Sequence, residues 1–261
     1  MRTRTHFTEQ ERHRDRNSVE LDTPEGNHPV TADINELCHR LANNDVSLIT
    51  LDLRDKNLQI EEAAALASAL RVNEHLRMLN VGNTSLGDEG ILQILLGLQD
   101  HRSIEYLLLS ANKVTNVAAF ASLFVHMHSL KWLDLSNNSI RHAGALLQAV
   151  GRHNSIELLD LSLNQIADGD AIGQAIRQSQ TLTDLNLFAN HIDNDGAKAI
   201  AASELGNLVK LNLGYNRIGD DGAKILLKTS TKSPTMKEMV LTGNPCSLTE
   251  GRSRMRNACA A

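Results

Sequence analysis

Residues 130–140, Leu-Lys-Trp-Leu-Asp-Leu-Ser-Asn-Asn-Ser-Ile, carry a spacing that recurs along the chain and limits what it can become. Leu133 and Leu135 stand two apart, the period at which a strand returns side chains to the same face. Asn138, three places on, suits a turn, because an Asn side chain bonds local backbone and tolerates tight conformations. Frames of this kind begin at Leu48, Leu76, Ile104, Leu130, Ile156, Leu182, Leu208 and Met236, giving periods of 28, 28, 26, 26, 26, 26 and 28 residues. Repeats of that length stack into a solenoid, in which each unit buries its apolar edge only against its neighbours.

The register holds at every key place. The fourth frame position is Leu in seven units and Met239 in the last, and the sixth is Leu or, once, Val81. The ninth is Asn112, Asn138, Asn164, Asn190, Asn216 and Asn244, with Lys56 and Thr84 in the first two units. The eleventh is apolar from Leu58 to Ile218 and ends in Cys246. Such a continuous array argues for one elongated domain over residues 46–246. Before it, Ile34, Leu37, Cys38 and Leu41 fall at helical spacing behind Thr31 and Asp33, so residues 30–45 are expected to form a capping helix. Residues 1–29 and 247–261 are expected to be tails, the first of them polar and too poor in apolar groups to fold.

After each turn a helix is expected. Gly90, Gly144, Gly196 and Gly222 share one frame position, with Asp88, Asp193, Asp195, Asp220 and Asp221 just ahead as candidate helix caps. Small residues there would let helix and strand layers approach. Helices are wider than the roughly 4.8 Å between strands, so a parallel sheet should line an inner, concave side about 34 Å long.

The spacing Leu-x-x-Leu-x-Leu-x-x-Asn-x-Ile followed by a Gly-Ala helix start, as in residues 182–200 and 208–226, resembles the ribonuclease-inhibitor class of leucine-rich repeat. The resemblance implies an α/β fold: a leucine-rich repeat solenoid of eight repeats, with a curved parallel β-sheet on the concave side and helices on the convex side. It also implies a non-enzymatic role, gripping a partner protein on the concave face as a regulatory scaffold or as a bacterial effector translocated into host cells.

Side chains outside the Leu and Asn ladders are free to meet a partner. Four neighbouring units place Met78, Tyr106, Trp132 and Leu158 at the third position, and Leu108 widens that stripe. Phe188 and Tyr215 extend it, so four of the seven aromatic residues fall on one face. Contiguous apolar surface of this kind marks interaction sites, with Trp and Tyr as anchors. Asp134 and Asp160 lie beside it, near Asp184 and Glu157, and read as an acidic rim that steers a basic partner. A carboxylate pair could also act as acid and base, but no His, nucleophile or metal cluster joins it.

The balance of 26 basic and 31 acidic residues gives a net charge of -5 and does not favour nucleic acid. No apolar run reaches the roughly 18 residues of a membrane span. The three cysteines, Cys38, Cys246 and Cys259, read as reduced thiols, which with the lack of an apolar leader points to the cytoplasm or, for an effector, a host cytosol. A monomer without cofactor or metal is expected, and His75, His101, His128 and His153 read as surface caps at helix ends. The alternative is GTPase activation of the Ran GTPase-activating type, which uses an Arg just beyond an early strand. Here only Arg141, in the fourth unit, stands at a comparable place, and no acidic tail follows.

Overall fold

The computed structural model describes residues 33–247. The tails expected at residues 1–29 and beyond Ser247 lie outside that span. The first helix, α1 (Ile34–Ala42), is capped by Asp33, which accepts from the Asn35 amide, and it buries Leu37 and Leu41 against the first repeat. Eight strands alternating with seven helices follow: β1 (Thr50–Asp52), α2 (Ile60–Leu70), β2 (Met78–Asn80), α3 (Gly87–Gly97), β3 (Tyr106–Leu108), α4 (Ala118–Phe124), β4 (Trp132–Asp134), α5 (Gly144–Arg152), β5 (Leu158–Asp160), α6 (Gly169–Gln178), β6 (Asp184–Asn186), α7 (Asn194–Ala201), β7 (Lys210–Asn212), α8 (Asp220–Ser230) and β8 (Glu238–Val240). The strands form one parallel sheet in chain order, β1 to β8. Period and helix length agree: the three 28-residue units carry helices of 11 residues, and the 26-residue units carry 7 to 10.

The Leu ladder is the core. Leu79, Leu107, Leu133, Leu159 and Leu211 pair in register across the sheet and are shielded from solvent. The Asn ladder ties unit to unit. Asn164 Oδ1 accepts from the Ile140 amide of the preceding unit (3.0 Å), and its Nδ2 donates to the Leu135 carbonyl (3.0 Å) and to Leu161 and Ser162 in its own. Asn190, Asn216 and Asn244 repeat the arrangement.

One feature of the turn is absent from any residue preference. The eighth frame position is left-handed in every unit: Asp55, Asn83, Ala111, Asn137, Leu163, Ala189, Tyr215 and Gly243 have φ between 52° and 71°. For Leu and Tyr this conformation costs about 1–2 kcal/mol. The neighbouring Asn rungs hold the backbone there.

Several expectations need correction. In the shared glycine column an added Cβ would meet the Leu86 side chain at Gly90 and that of Ile192 at Gly196, and the tight approach between helices falls at other glycines. A Cβ on Gly169 would lie 2.3 Å from Gly196 Cα in the next helix, and one on Gly173 2.7 Å from the Ala199 carbonyl. Asp193 does cap its own helix, accepting from Asp195 and Gly196 amides. Asp88 and Asp220 instead reach forward to the next unit, where they accept from the amides of Thr115 (2.8 Å) and Ser247 (2.7 Å). Cys246 is disulfide-bonded and Cys38 is a free thiol, so the reading of three reduced thiols fails.

The histidines divide. His101 and His153 are buried, not surface caps. They stand three residues before their frame starts, in line with Asn73 and Ser179, and all four accept from backbone amides at the helix-to-strand turn. Burial pushes the His101 imidazole down to about 4 and lowers that of His153, so both sit neutral. A neutral acceptor is what the turn needs, and it replaces the charged-cap reading.

Candidate functional site on the concave sheet

The sheet brings the expected residues together in a grid. Third-position side chains pair across strands as Met78, Tyr106, Trp132 and Leu158, and the fifth position places Leu108, Asp134 and Asp160 alongside. Residues two apart on a strand share a face, so Trp132, Asp134, Leu158 and Asp160 form a block two strands wide. A groove of about 340 Å³ runs over this block and reaches Phe188, Asp184 and Lys210.

The stripe is partly self-covered. Tyr106 and Trp132 meet edge-to-face with ring centroids 6.3 Å apart, and Phe188 and Tyr215 do the same at 5.1 Å. Leu158 and Phe188 are each only 8% exposed and form floor, whereas Tyr215, at 40%, stands on the rim. Met78, Tyr106, Leu108, Trp132, Asp134 and Asp160 are half-buried. The Trp132 Nε1–H is buried and meets no acceptor among the described residues, an uncommon state for an indole donor.

Asp134 and Asp160 have a structural task that the sequence reading missed. Each accepts with Oδ1 from the amide two residues on, Ser136 and Ser162, both at 2.8 Å. Asn80, Asn186 and Asn212 do the same for Gly82, Phe188 and Gly214. The fifth position is therefore a side-chain acceptor that closes six of the eight strands, Leu108 and Val240 being the exceptions, and the signal for it was the Asp or Asn in the other places of that frame column. An amide serves as well as a carboxylate. The two charges are surplus to that task.

Those charges are also unfavourable. Removal from water raises the Asp134 carboxyl to about 6, with the neighbouring Asp160 charge adding to the rise and hydrogen bonds from Ser136 and Ser110 opposing it. Burial likewise raises Asp160, against hydrogen bonds from Ser162 and from Asn186 Nδ2 at 2.9 Å. Among the described residues neither carboxylate forms an ion pair, while nearby Asp184 is paired with Lys210 at 3.6 Å. No group of three or more His, Cys, Asp or Glu able to hold a metal occurs among the described residues. No helix there is long and apolar enough to cross a membrane.

The comparisons agree with this architecture. A family model described as "Leucine Rich repeat" matches residues 72–95, 152–173, 178–201 and 207–226, and a second, "Leucine Rich Repeat", matches residues 129–149. Together with the eight parallel strands, these matches fit a leucine-rich repeat solenoid of eight units. Among solved structures it is similar to the internalin InlF of Listeria monocytogenes, with a TM-score of 0.52, 19% identity, and coverage of 79% of this chain and 58% of that one. It is also similar to internalin C2 of the same organism, with a TM-score of 0.50, 19% identity, and coverage of 77% and 83%. The chain thus spans little more than half of the InlF structure, and the likeness is one of fold. No curated protein sequence matches the chain.

Proposed function

We propose that this is a non-enzymatic protein-binding module of the ribonuclease-inhibitor-like kind, a monomer that docks a partner protein on its concave sheet. The observation that carries the reading is the block of Trp132, Leu158, Asp134 and Asp160, which gathers aromatic, aliphatic and acidic groups in one groove with Tyr106 against Trp132 at its side, while the Leu and Asn ladders do the folding. Met78, Leu108, Phe188 and Tyr215 are the proposed margin of the contact. A scaffold and a translocated effector would use the same surface.

The test begins with a partner identified by affinity capture and verified with purified components. Trp132→Ala and Tyr106→Ala should each weaken binding by at least tenfold in calorimetry, with unchanged circular dichroism, as expected of aromatic anchors. Unchanged affinity in both variants overturns the assignment. The Ran GTPase-activating alternative depends on Arg141, whose Nε donates to Gln165 Oε1 at 2.8 Å along the ridge of turns. It requires GTP hydrolysis by a small GTPase to rise on adding the protein and to return to baseline with Arg141→Ala.

A further inference from the structure

We propose that the paired carboxylates of Asp134 and Asp160, floored by Trp132 and Leu158, take an arginine side chain of the partner protein. This rests on the concave-face reading above and names what that face recognises.

Three observations converge. First, Asp134 and Asp160 stand opposite one another on β4 and β5, about 4.8 Å apart as strands are, a span that a planar guanidinium can bridge with its fork of donors. Each carboxylate oxygen has two acceptor sites. Asp160 takes three donors, from the Ser162 amide, the Ser162 hydroxyl and Asn186 Nδ2, and of its roughly four acceptor sites keeps one for a further donor. Second, the charges are not explained by folding. The amides of Asn80, Asn186 and Asn212 close their strands equally well, and a like-charged pair in a crowded groove is unfavourable until a cation meets it. No basic side chain of the described residues forms an ion pair with either carboxylate. Third, Trp132 lines the same groove as the two carboxylates, where the face of an indole attracts a cation.

The chain's one tryptophan makes the site directly observable. The full chain is titrated with the peptide acetyl-Gly-Arg-Leu-Arg-Gly-amide and with its citrulline counterpart, which keeps the planar shape but loses the charge and one arm of the donor fork. The arginine peptide should shift Trp132 fluorescence saturably and bind at least tenfold tighter than the citrulline peptide. The double variant Asp134→Asn/Asp160→Asn, which keeps the strand-closing acceptors and therefore the fold, should erase that difference. Absence of a saturable signal up to about 10 mM, a binding free energy of only ~3 kcal/mol, overturns the proposal. Equal binding of both peptides, lost in Trp132→Ala when binding is followed by calorimetry, leaves the groove as the docking face and removes only the cation. A verified partner that binds both Trp132→Ala and Tyr106→Ala at full affinity instead refutes the concave-face reading itself.

Discussion

Replacing Asp134 by Asn should stabilise the protein, and the gain should depend on pH in one direction only. The variant keeps an oxygen to accept from the Ser136 amide, as Asn80, Asn186 and Asn212 do in their own units. What it removes is a charge whose carboxyl is raised from 3.8 to about 6 by burial first and by Asp160 second. At about 1.4 kcal/mol per pKa unit, the upper bound on the penalty is roughly 3 kcal/mol. Partial exposure and relief of Asp160 reduce the expected gain to about 1–2 kcal/mol, or roughly 3–6 °C in Tm for a chain of this size. Because the folded state holds the proton more tightly than the unfolded one, the wild type loses stability as pH rises from about 4 to about 6 and carries the full penalty above that window. The gain should therefore be complete at pH 7.5 and vanish near pH 4. Calorimetry or urea unfolding of both proteins at the two pH values measures it. A neutral or destabilising effect at pH 7.5, or an equal gain at pH 4, would refute the claim that this charge is carried at the expense of the fold.

Three further outcomes follow from the same geometry. Asn164→Ala strips one acceptor and one donor linking neighbouring units, and should lower unfolding free energy by about 2–4 kcal/mol in urea titration. Gly169→Ala drives a methyl group into the backbone of Gly196 and should cost about 1–3 kcal/mol, whereas Gly144→Ala, whose added methyl meets nothing nearer than 3.9 Å, should be close to neutral. His101 acts with opposite sign to Asp134: its folded value of about 4 lies below the usual 6.5, so its stabilisation is present above pH 6.5 and is lost as pH falls towards 4. The loss should reach about 2 kcal/mol by pH 5, and His101→Asn, which copies Asn73 one unit earlier, should flatten that decline in urea titrations at pH 7 and pH 5.

The array itself was legible because its physics is repeated: Leu133 and Leu159 declare the same inward face, and one missing ladder residue such as Lys56 does not blur the rest. The placement of the proposed site residues on one face was legible for a related reason, since alternation along β4 leaves Trp132 and Asp134 on whatever side Leu133 does not take. What escaped depends on neighbours that a single stretch of chain does not show. His153 looks like a surface residue in a polar turn, yet its Nε2 meets the Phe124 carbonyl at 3.0 Å from the preceding helix. Asp88 precedes a helix and resembles a cap, but Thr115 of the following unit claims it. Leu163 and Tyr215 have no preference for left-handed backbone, and the stacked turns impose it on them. Three cysteines invited the reading of unpaired thiols, against the bridge at Cys246.

The left-handed turn column has a consequence for how such a surface can diversify. Its eight occupants include acid, amide, methyl, isobutyl, phenol and hydrogen, and none of them is buried. Backbone geometry there is dictated by the rungs beside it, so exchanging one occupant redraws the brim of the groove while the strands and their hydrogen bonds stay put. A library confined to Asp55, Asn83, Ala111, Asn137, Leu163, Ala189, Tyr215 and Gly243 would thus sample new specificities on an unchanged frame.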